Sequence, residues 1–579
     1  MKARTVTVRP TLGASVSVVV AAIAAYAALP PWRFSWWPFA AITVVALVVL
    51  LVRVRRHSLV TWVAARVRQR RTGRYTTPVG AAVDIRHGND VYGVRTADNE
   101  AVAVIRVDGH PYEPTFLRGS TVAHTVNVLP LHVLVQFVDQ PGGLRIGFDI
   151  ASDGFRVRPE QGYPQLYSTL LAARGAAGQR VTYLILRLDI RESLPGLVYR
   201  QSIGTAVAAA ADRVIKALQQ EGVRAVALSA EEQDAVLGTL SLGLAVPPPR
   251  PAIVDPDVAE DDEVEEPAAV AVASENAGKR RRRGSAGQAA KLDESDRKQP
   301  APVDVHWSLI NAQPGYVTSY YFSPEDITTD TFNQMWALPS DHVLHVLMLR
   351  KHGDEVVVSA MVRTNDPRPP KAAPTLFLNT LPGEQYTAAL RAAPISAPSL
   401  PLPATALAED LEIAVGSTGV LVGAALRDDK SGSPEVRRDD LVMWALTDPQ
   451  RPTRITMDTS DFYVRQLLIR AAATGERIAI FSRDPRRWYS VSQPNIAVME
   501  PGRRAEFVPT IIVNDHAAVA PPMGLASTVI TVGRVTDTTP DIVFQQTSPT
   551  TVRVRTNTRI LELAIVEFRQ EQTWTGTAA

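Results

Sequence analysis

The sequence predicts mixed α/β cytosolic domains behind an N-terminal transmembrane hairpin of two helices. Three observations carry that reading. The first is charge segregation. The 579 residues hold 61 Lys/Arg and 59 Asp/Glu, a formal net charge of +2. Residues 1–74 contain 12 of the basic residues and no acid, so the rest of the chain is net −10. The second is a pair of uncharged stretches, 11–29 and 34–52, each close to the ~20 apolar residues that span a hydrocarbon core. The third is the later chain, where short Val/Ile-rich runs alternate with runs of helical period, as in α/β folds. A hydrophobic content of 46% supports a buried core and excludes wholesale disorder. The length suits about four domains of roughly 150 residues.

The N-terminus is read as a cytoplasmic arm (1–10) and two transmembrane helices (11–52). Trp32, Trp36 and Trp37 lie between the spans, where amphipathic rings mark a headgroup boundary. A cleaved signal peptide has an apolar region of only about 7–15 residues and is not followed at once by a second span. Lys2, Arg4 and Arg9 precede the hairpin, Arg33 alone lies in its turn, and eight arginines from Arg53 to Arg74 follow it. The positive-inside rule therefore expects both termini in the cytoplasm. Residues 53–78 are expected to form a basic juxtamembrane helix, with Leu59, Val60, Val63 and Val67 near one face.

The first cytosolic α/β domain is expected over 79–246. Strands are predicted around Ala101–Val107, Val181–Leu188 and Val223–Leu228. A helix is predicted between Tyr199 and Gln220, closed by Gly222, and another is capped by Ser229 with Glu232. Residues 247–304 break the pattern. Asp255–Glu266 supplies eight acids in twelve residues and Lys279–Arg283 five consecutive cations. Such a composition cannot offset the entropy of ordering and reads as a disordered charged linker.

A second α/β domain is expected over 305–505. Ser323-Pro-Glu-Asp326 has the make-up of a helix start leading to Phe332, Met335 and Trp336. Strands are predicted at Val343–Leu349, Val356–Val362 and Arg477–Ser482. Helices are predicted from Pro382 to Ala392 and from Asp461 to Ala473. The remainder, 506–579, reads as a strand-rich C-terminal extension.

Catalytic chemistry finds no foothold in the sequence. There is no cysteine, which excludes thiolate metal sites, disulfides and a Cys nucleophile. Gly416–Gly423 lacks the Lys-Ser/Thr of a phosphate-binding loop, since Ala424 and Ala425 follow it, and reads as a turn beside a strand. His342 and His345 sit in a strand-like run with no completing glutamate. Asp354-Glu355 and Asp428-Asp429 lie in turn-like polar stretches. No catalytic, cofactor or metal residue is assigned, no cofactor is expected, and the net acidic body argues against nucleic acid.

Several separated features together resemble the EccE family of the type VII (ESX) secretion system of mycobacteria and related actinobacteria. They are the hairpin with its Arg-rich exit, Val181–Arg187 leading to Tyr199-Arg-Gln-Ser202, and Gly315–Pro324 followed by Asp326-Ile-Thr-Thr. Gly383-Glu-Gln385, Gly416–Gly423 and Gly475–Ile480 with Arg487-Trp488 complete the set. The resemblance implies a non-catalytic structural subunit of an inner-membrane complex. In that complex EccE assembles with EccB, the ATPase EccC and EccD, and the machine exports substrates of the WXG100 and PE/PPE kind. The long segment 247–304 and the tail beyond about 505 depart from shorter family members. The competing reading is a membrane-anchored α/β transferase of cell-envelope synthesis, whose usual Asp-x-Asp motif occurs only as Asp255-Pro-Asp257, inside the linker.

Overall fold

A computed structural model describes residues 75–119, 122–140, 142–156, 174–249, 302–312, 315–396, 398–499, 505–516, 528–534 and 539–576, with isolated positions between 6 and 69. Apart from scattered positions, the predicted spans 11–29 and 34–52 lie outside the described residues, and so does 250–301. Among the described residues no helix is long and apolar enough to cross a membrane.

The body is a sheet-rich α/β fold built on two large sheets. At the centre of the first, the strand Leu144–Phe155 pairs antiparallel with His342–His352, from Phe148 opposite Leu349 to Gly154 opposite Val343. Outward from that pair both arms run in the same order. On one side follow Gln179–Asp189, Glu100–Asp108, Asp90–Ala97 and Ala82–His87. On the other follow Glu355–Asp366, Tyr316–Phe322, Ile310–Asn311 and Asp304–Val305. In each arm a short helix (Leu131–Val138 or Thr329–Met335) joins the third strand from the centre to the central strand. The two arms therefore follow a similar strand order, although the first also sends Thr115–Arg118 and Val122–His124 to the second sheet before its helix. Strands from 79–246 and from beyond 304 are hydrogen-bonded into a single sheet across the charged segment.

Helices cover both faces of this sheet. Ile203–Gln220 buries Val207, Val214 and Leu218 on one face with Ala103, Ile105 and Leu186. Its start is fixed by Ser202, which accepts from the Thr205 backbone N–H while Thr205 returns the bond. Gly222, at φ +81°, closes it in the left-handed conformation that side chains avoid. Ala230–Leu240, capped by Ser229 and Glu232, and Gln385–Arg391 cover the opposite face over Val102, Val104 and Leu344. Every strand pair of this sheet is antiparallel, a difference from the βαβ crossovers that alternating elements suggest. The Ser323–Asp326 signal also acts later than its residues imply. Pro324–Asp326 makes only a 3-10 turn, and the helix begins at Thr329 with Thr328 as the side-chain cap.

The second sheet has a parallel half and an antiparallel half. Ile496–Met499, Ile478–Ser482, Ile511–Asp515, Thr528–Val532, Thr453–Asp458 and Ile542–Ser548 run parallel. Thr551–Arg555, Ile560–Ala564, Val420–Ala425, Leu441–Trp444, Thr115–Arg118 and Val122–His124 continue antiparallel. Strands from 506–579 thus stand mid-sheet, between strands of 305–505, and two from the first hundred-odd residues close one edge. The helix Asp461–Ala473 buries Tyr463, Leu467 and Leu468 against this sheet.

The ends of the charged segment meet. Val246 pairs with Pro78, and a Cβ on nearby Gly243 would lie 2.8 Å from the Pro302 ring. Loop-closure cost grows only slowly with length. Replacing 250–301 by a short Gly/Ser tether is therefore expected to leave Tm unchanged or slightly raised in a thermal melt, and a loss of several degrees would show that the segment packs.

Candidate functional site

The N-terminal segment is joined to the body at a compact knot. Val6–Val8 pairs antiparallel with Val52–Val54, which pairs in turn with His57–Ser58. The expected helix over 53–78 is therefore extended at its start and again at Thr77–Pro78, and helical positions appear from Trp62 to Gln69. Trp62 stacks on Trp307 with ring centroids 5.5 Å apart, and the Arg66 guanidinium lies 5.2 Å from the same ring. Trp307 is backed by Gly383, whose N–H donates to the Trp307 carbonyl at 2.6 Å. A Cβ on Gly383 would lie 2.7 Å from the indole, so glycine is what admits the ring. Further along, Thr77 and Pro78 pair in parallel with Ala245 and Val246, and the Thr77 and Tyr386 hydroxyls hydrogen-bond. Beside this knot opens a cleft of about 720 Å³ lined by Thr77, Gly80, Arg95, Asp98, Tyr386 and Ser396. Arg95 is already committed to the Gly80 carbonyl and to Asp234, so it offers little to a ligand.

Under the cleft lies a buried ion cluster. Asp149, on the central strand Leu144–Phe155, is fully buried. It accepts from Arg350 Nη2 at 2.6 Å, from Arg391 Nη1 and Nη2 at 2.6 and 3.1 Å, and from Arg187 Nε. Arg187 also donates to the carbonyls of Ala393 (2.8 Å) and Ile395. One carboxylate thereby ties together strands of both arms, the helix Gln385–Arg391 and the turn behind it. Burial pushes the Asp149 carboxyl up, but Arg350, Arg391 and Arg187 outweigh it and hold the group well below the usual carboxylate range. Burial pushes Arg391 down to about 10, opposed by Asp149. Both carboxylate oxygens are taken by guanidinium groups of the same body, which is the chemistry of a structural joint.

Other titratable groups behave likewise. His345 is buried against Trp336 (centroids 4.5 Å) and Phe332, and burial, with Arg180 nearby, pushes it down to about 3. His342 points elsewhere and meets Asp153 at 3.2 Å. Both lie on a strand, so they form no metal pair. Among the described residues no group of three His, Asp or Glu could hold a metal ion. Gly416 and Gly419 turn at positive φ, the Ser417 and Thr418 hydroxyls accept from the N–H groups of Arg180 and Ala177, and Val420–Ala425 is a buried strand. This is the turn beside a strand that the sequence predicts. Asp255-Pro-Asp257 lies outside the described residues.

The lowered His345 pKa has a measurable consequence. In the unfolded chain the imidazole binds a proton below about pH 6.5, whereas the folded chain refuses it down to about pH 3. Stability should therefore fall as pH drops through that window, by at most about 1.4 kcal/mol per pH unit from this group. Urea unfolding of His345→Gln across pH 7 to 4 is expected to show a shallower acid loss than the parent chain, and parallel curves would rule the assignment out.

Sequence reasoning assigned no role to Asp149 or Trp307. The available signal was a charged residue inside an apolar strand run, Asp149 between Phe148 and Ile150, with Arg187 in the run that begins at Val181.

The comparisons with known proteins take this anchored, ion-pinned body to a class. Residues 176–322, from the strand Gln179–Asp189 to the strand Tyr316–Phe322, match the family model for EccE of the type VII ESX secretion system. The chain is also 24% identical over 452 residues to the ESX-2 secretion system protein EccE2 of Mycobacterium tuberculosis, covering 77% of this chain and 70% of that protein. Both similarities are to components of type VII ESX secretion systems. Within that class, both similarities are to EccE and support an EccE assignment. Neither similarity supports the transferase reading.

Proposed function

We propose that the chain is a membrane-anchored scaffold subunit of the secretion complex and that it performs no chemical step itself. Its hairpin lies in the inner membrane with both flanks in the cytoplasm. Its body docks EccB, the ATPase EccC and EccD and so supports export of WXG100 and PE/PPE substrates. The observation that carries this reading is the pairing of Val6–Val8 with Val52–Val54. Residues 9–51 leave and return at one place, so both flanks lie on one side of whatever the hairpin enters. The eleven Lys/Arg on those flanks against one in the turn favour the cytoplasmic side. Val20, Ile23 and Val44 are more than half exposed, apolar surface that a bilayer or neighbouring helices would cover. The stacking of Trp62 and Arg66 on Trp307 then fixes the body to the anchor.

Reporter fusions after Arg74 and at the C-terminus should be active only with a reporter that works in the cytosol. Activity only of an exported reporter would overturn the orientation. Co-purification of the full chain with an FtsK-like ATPase in mild detergent is the expected partner result, and a lone monodisperse protein would count against the scaffold role.

A further inference from the structure

The segment after the strand Gln179–Asp189 forms a knob with its apolar side chains outward. Leu194 is 54% exposed, Val198 74% and Tyr199 91%. Single exposed apolar residues are ordinary, but three large ones within six positions mark a contact surface. The backbone beneath them is pinned. Ser193 is fully buried, and its hydroxyl accepts from the Arg145 N–H at 2.9 Å. Gly196 packs so closely that a Cβ there would lie 2.2 Å from the Gly142 carbonyl oxygen. Arg200 Nε donates to the Gly196 carbonyl at 3.2 Å. A rigid turn presenting a tyrosine loses little entropy on binding, which is the make-up of an interface hot spot.

The rim carries more cations than anions, with Arg191, Arg200 and Arg213 beside the exposed Glu192. Arg191, Arg200 and Arg213 have no carboxylate partner among the described residues; Arg213 donates to Gln140 instead. Arg200 also lies near enough to Arg213 to act, after burial, in lowering its pKa. We infer that this knob is a docking site for an acidic protein surface on another subunit, one with an apolar socket for Val198 and Tyr199 edged by carboxylates for the three arginines. The inference rests on the scaffold reading above and names the surface that reading needs.

Two other occupants fit less well. A second copy facing the knob across a two-fold axis would set arginine against arginine. Lipid is disfavoured by position. The anchor's exit packs on the sheet face holding Val79, Leu244 and Tyr386, whereas Ile190, Leu197 and Ile203 of the knob pack into the core on the opposite face.

The absence of cysteine makes the test clean. The full chain carrying Tyr199→Cys, labelled with a benzophenone maleimide, is purified within its complex in mild detergent and irradiated. The expected adduct joins position 199 to a different subunit, at a peptide containing Asp or Glu. A label on Leu376→Cys, at a side chain 85% exposed, serves as the control and should yield far less. An adduct with a second copy, an adduct with lipid, or no adduct in a complex of normal composition each overturns the inference. Arg191→Glu, at an exposed side chain that takes no part in pinning the turn, should cut recovery of the same subunit about tenfold, with Tm unchanged. Unimpaired recovery also overturns it. Failure of the unaltered chain to co-purify with any subunit is a separate outcome, one that refutes the scaffold reading itself.

Discussion

Asp149→Asn is expected to lower unfolding free energy by roughly 5 kcal/mol, at the top of the range for breaking a buried ion pair. The reason is the count of stranded partners. Arg350, Arg391 and Arg187 converge on the one carboxylate. An amide has the same shape but no charge, and it cannot accept from all three guanidinium groups. Domain stabilities are only about 5–15 kcal/mol, so the variant should be partly unfolded at 37 °C. Urea titration by tryptophan fluorescence measures the effect. Glu100→Gln supplies the contrast. Its contact to Arg187 is 3.3 Å long and its side chain is partly exposed, so less than about 1 kcal/mol should be lost. Equal losses in the two variants would mean that Asp149 is not the hub. The sign of the pH dependence follows from the depressed pKa. The stabilisation is present above the unfolded carboxylate value and disappears only as pH falls through the lower folded one, so mild acid should leave this joint intact.

Glu571→Gln is expected to cost about 3–5 kcal/mol for the same physical reason in the second sheet. Arg470 and Glu571 are both fully buried and meet in a two-pronged pair, Nε to Oε1 and Nη2 to Oε2, each 2.8 Å. Gln466 donates to the same carboxylate at 2.8 Å, and Arg470 reaches the carbonyls of Leu421 and Val566. The C-terminal segment is thereby clamped onto the helix Asp461–Ala473. Removing the carboxylate leaves a buried cation, whereas Arg470→Met with Glu571→Leu removes both charges and should be much less damaging. A double-mutant cycle in urea decides the point. A double variant as unstable as the sum of the singles would show that packing, not charge, holds the segment.

The local elements were largely legible in the sequence, because short-range chemistry sets them. The helix Asp461–Ala473 has the predicted limits, and the reciprocal cap of Ser229 and Glu232 forms as its spacing implies. The turn Gly416–Gly419 and the strand after it also follow from glycine and β-branched residues in sequence. The family resemblance rested on the same local texture, and the match over 176–322 contains two of its runs, Val181–Arg187 and Tyr199–Ser202.

Only the tertiary structure decided how those pieces combine. Pairing Leu144–Phe155 with His342–His352 joins residues nearly two hundred positions apart, and nothing in either strand names its partner, since backbone hydrogen bonds are the same for any sequence. The strands of 506–579, read as an extension, stand mid-sheet because Ile542–Ser548 and Ile560–Ala564 find partners in Thr453–Asp458 and Val420–Ala425. The Asp149 cluster gathers its arginines from both strands that flank Leu144–Phe155, one of them some two hundred residues away in sequence, and from a helix, so no spacing along the chain could announce it. Charge segregation and apolar length were enough to set the N-terminal segment apart from the rest of the chain. Which surfaces the body keeps for itself and which it leaves open, as at Tyr199, depends on burial, and burial exists only once the chain has folded.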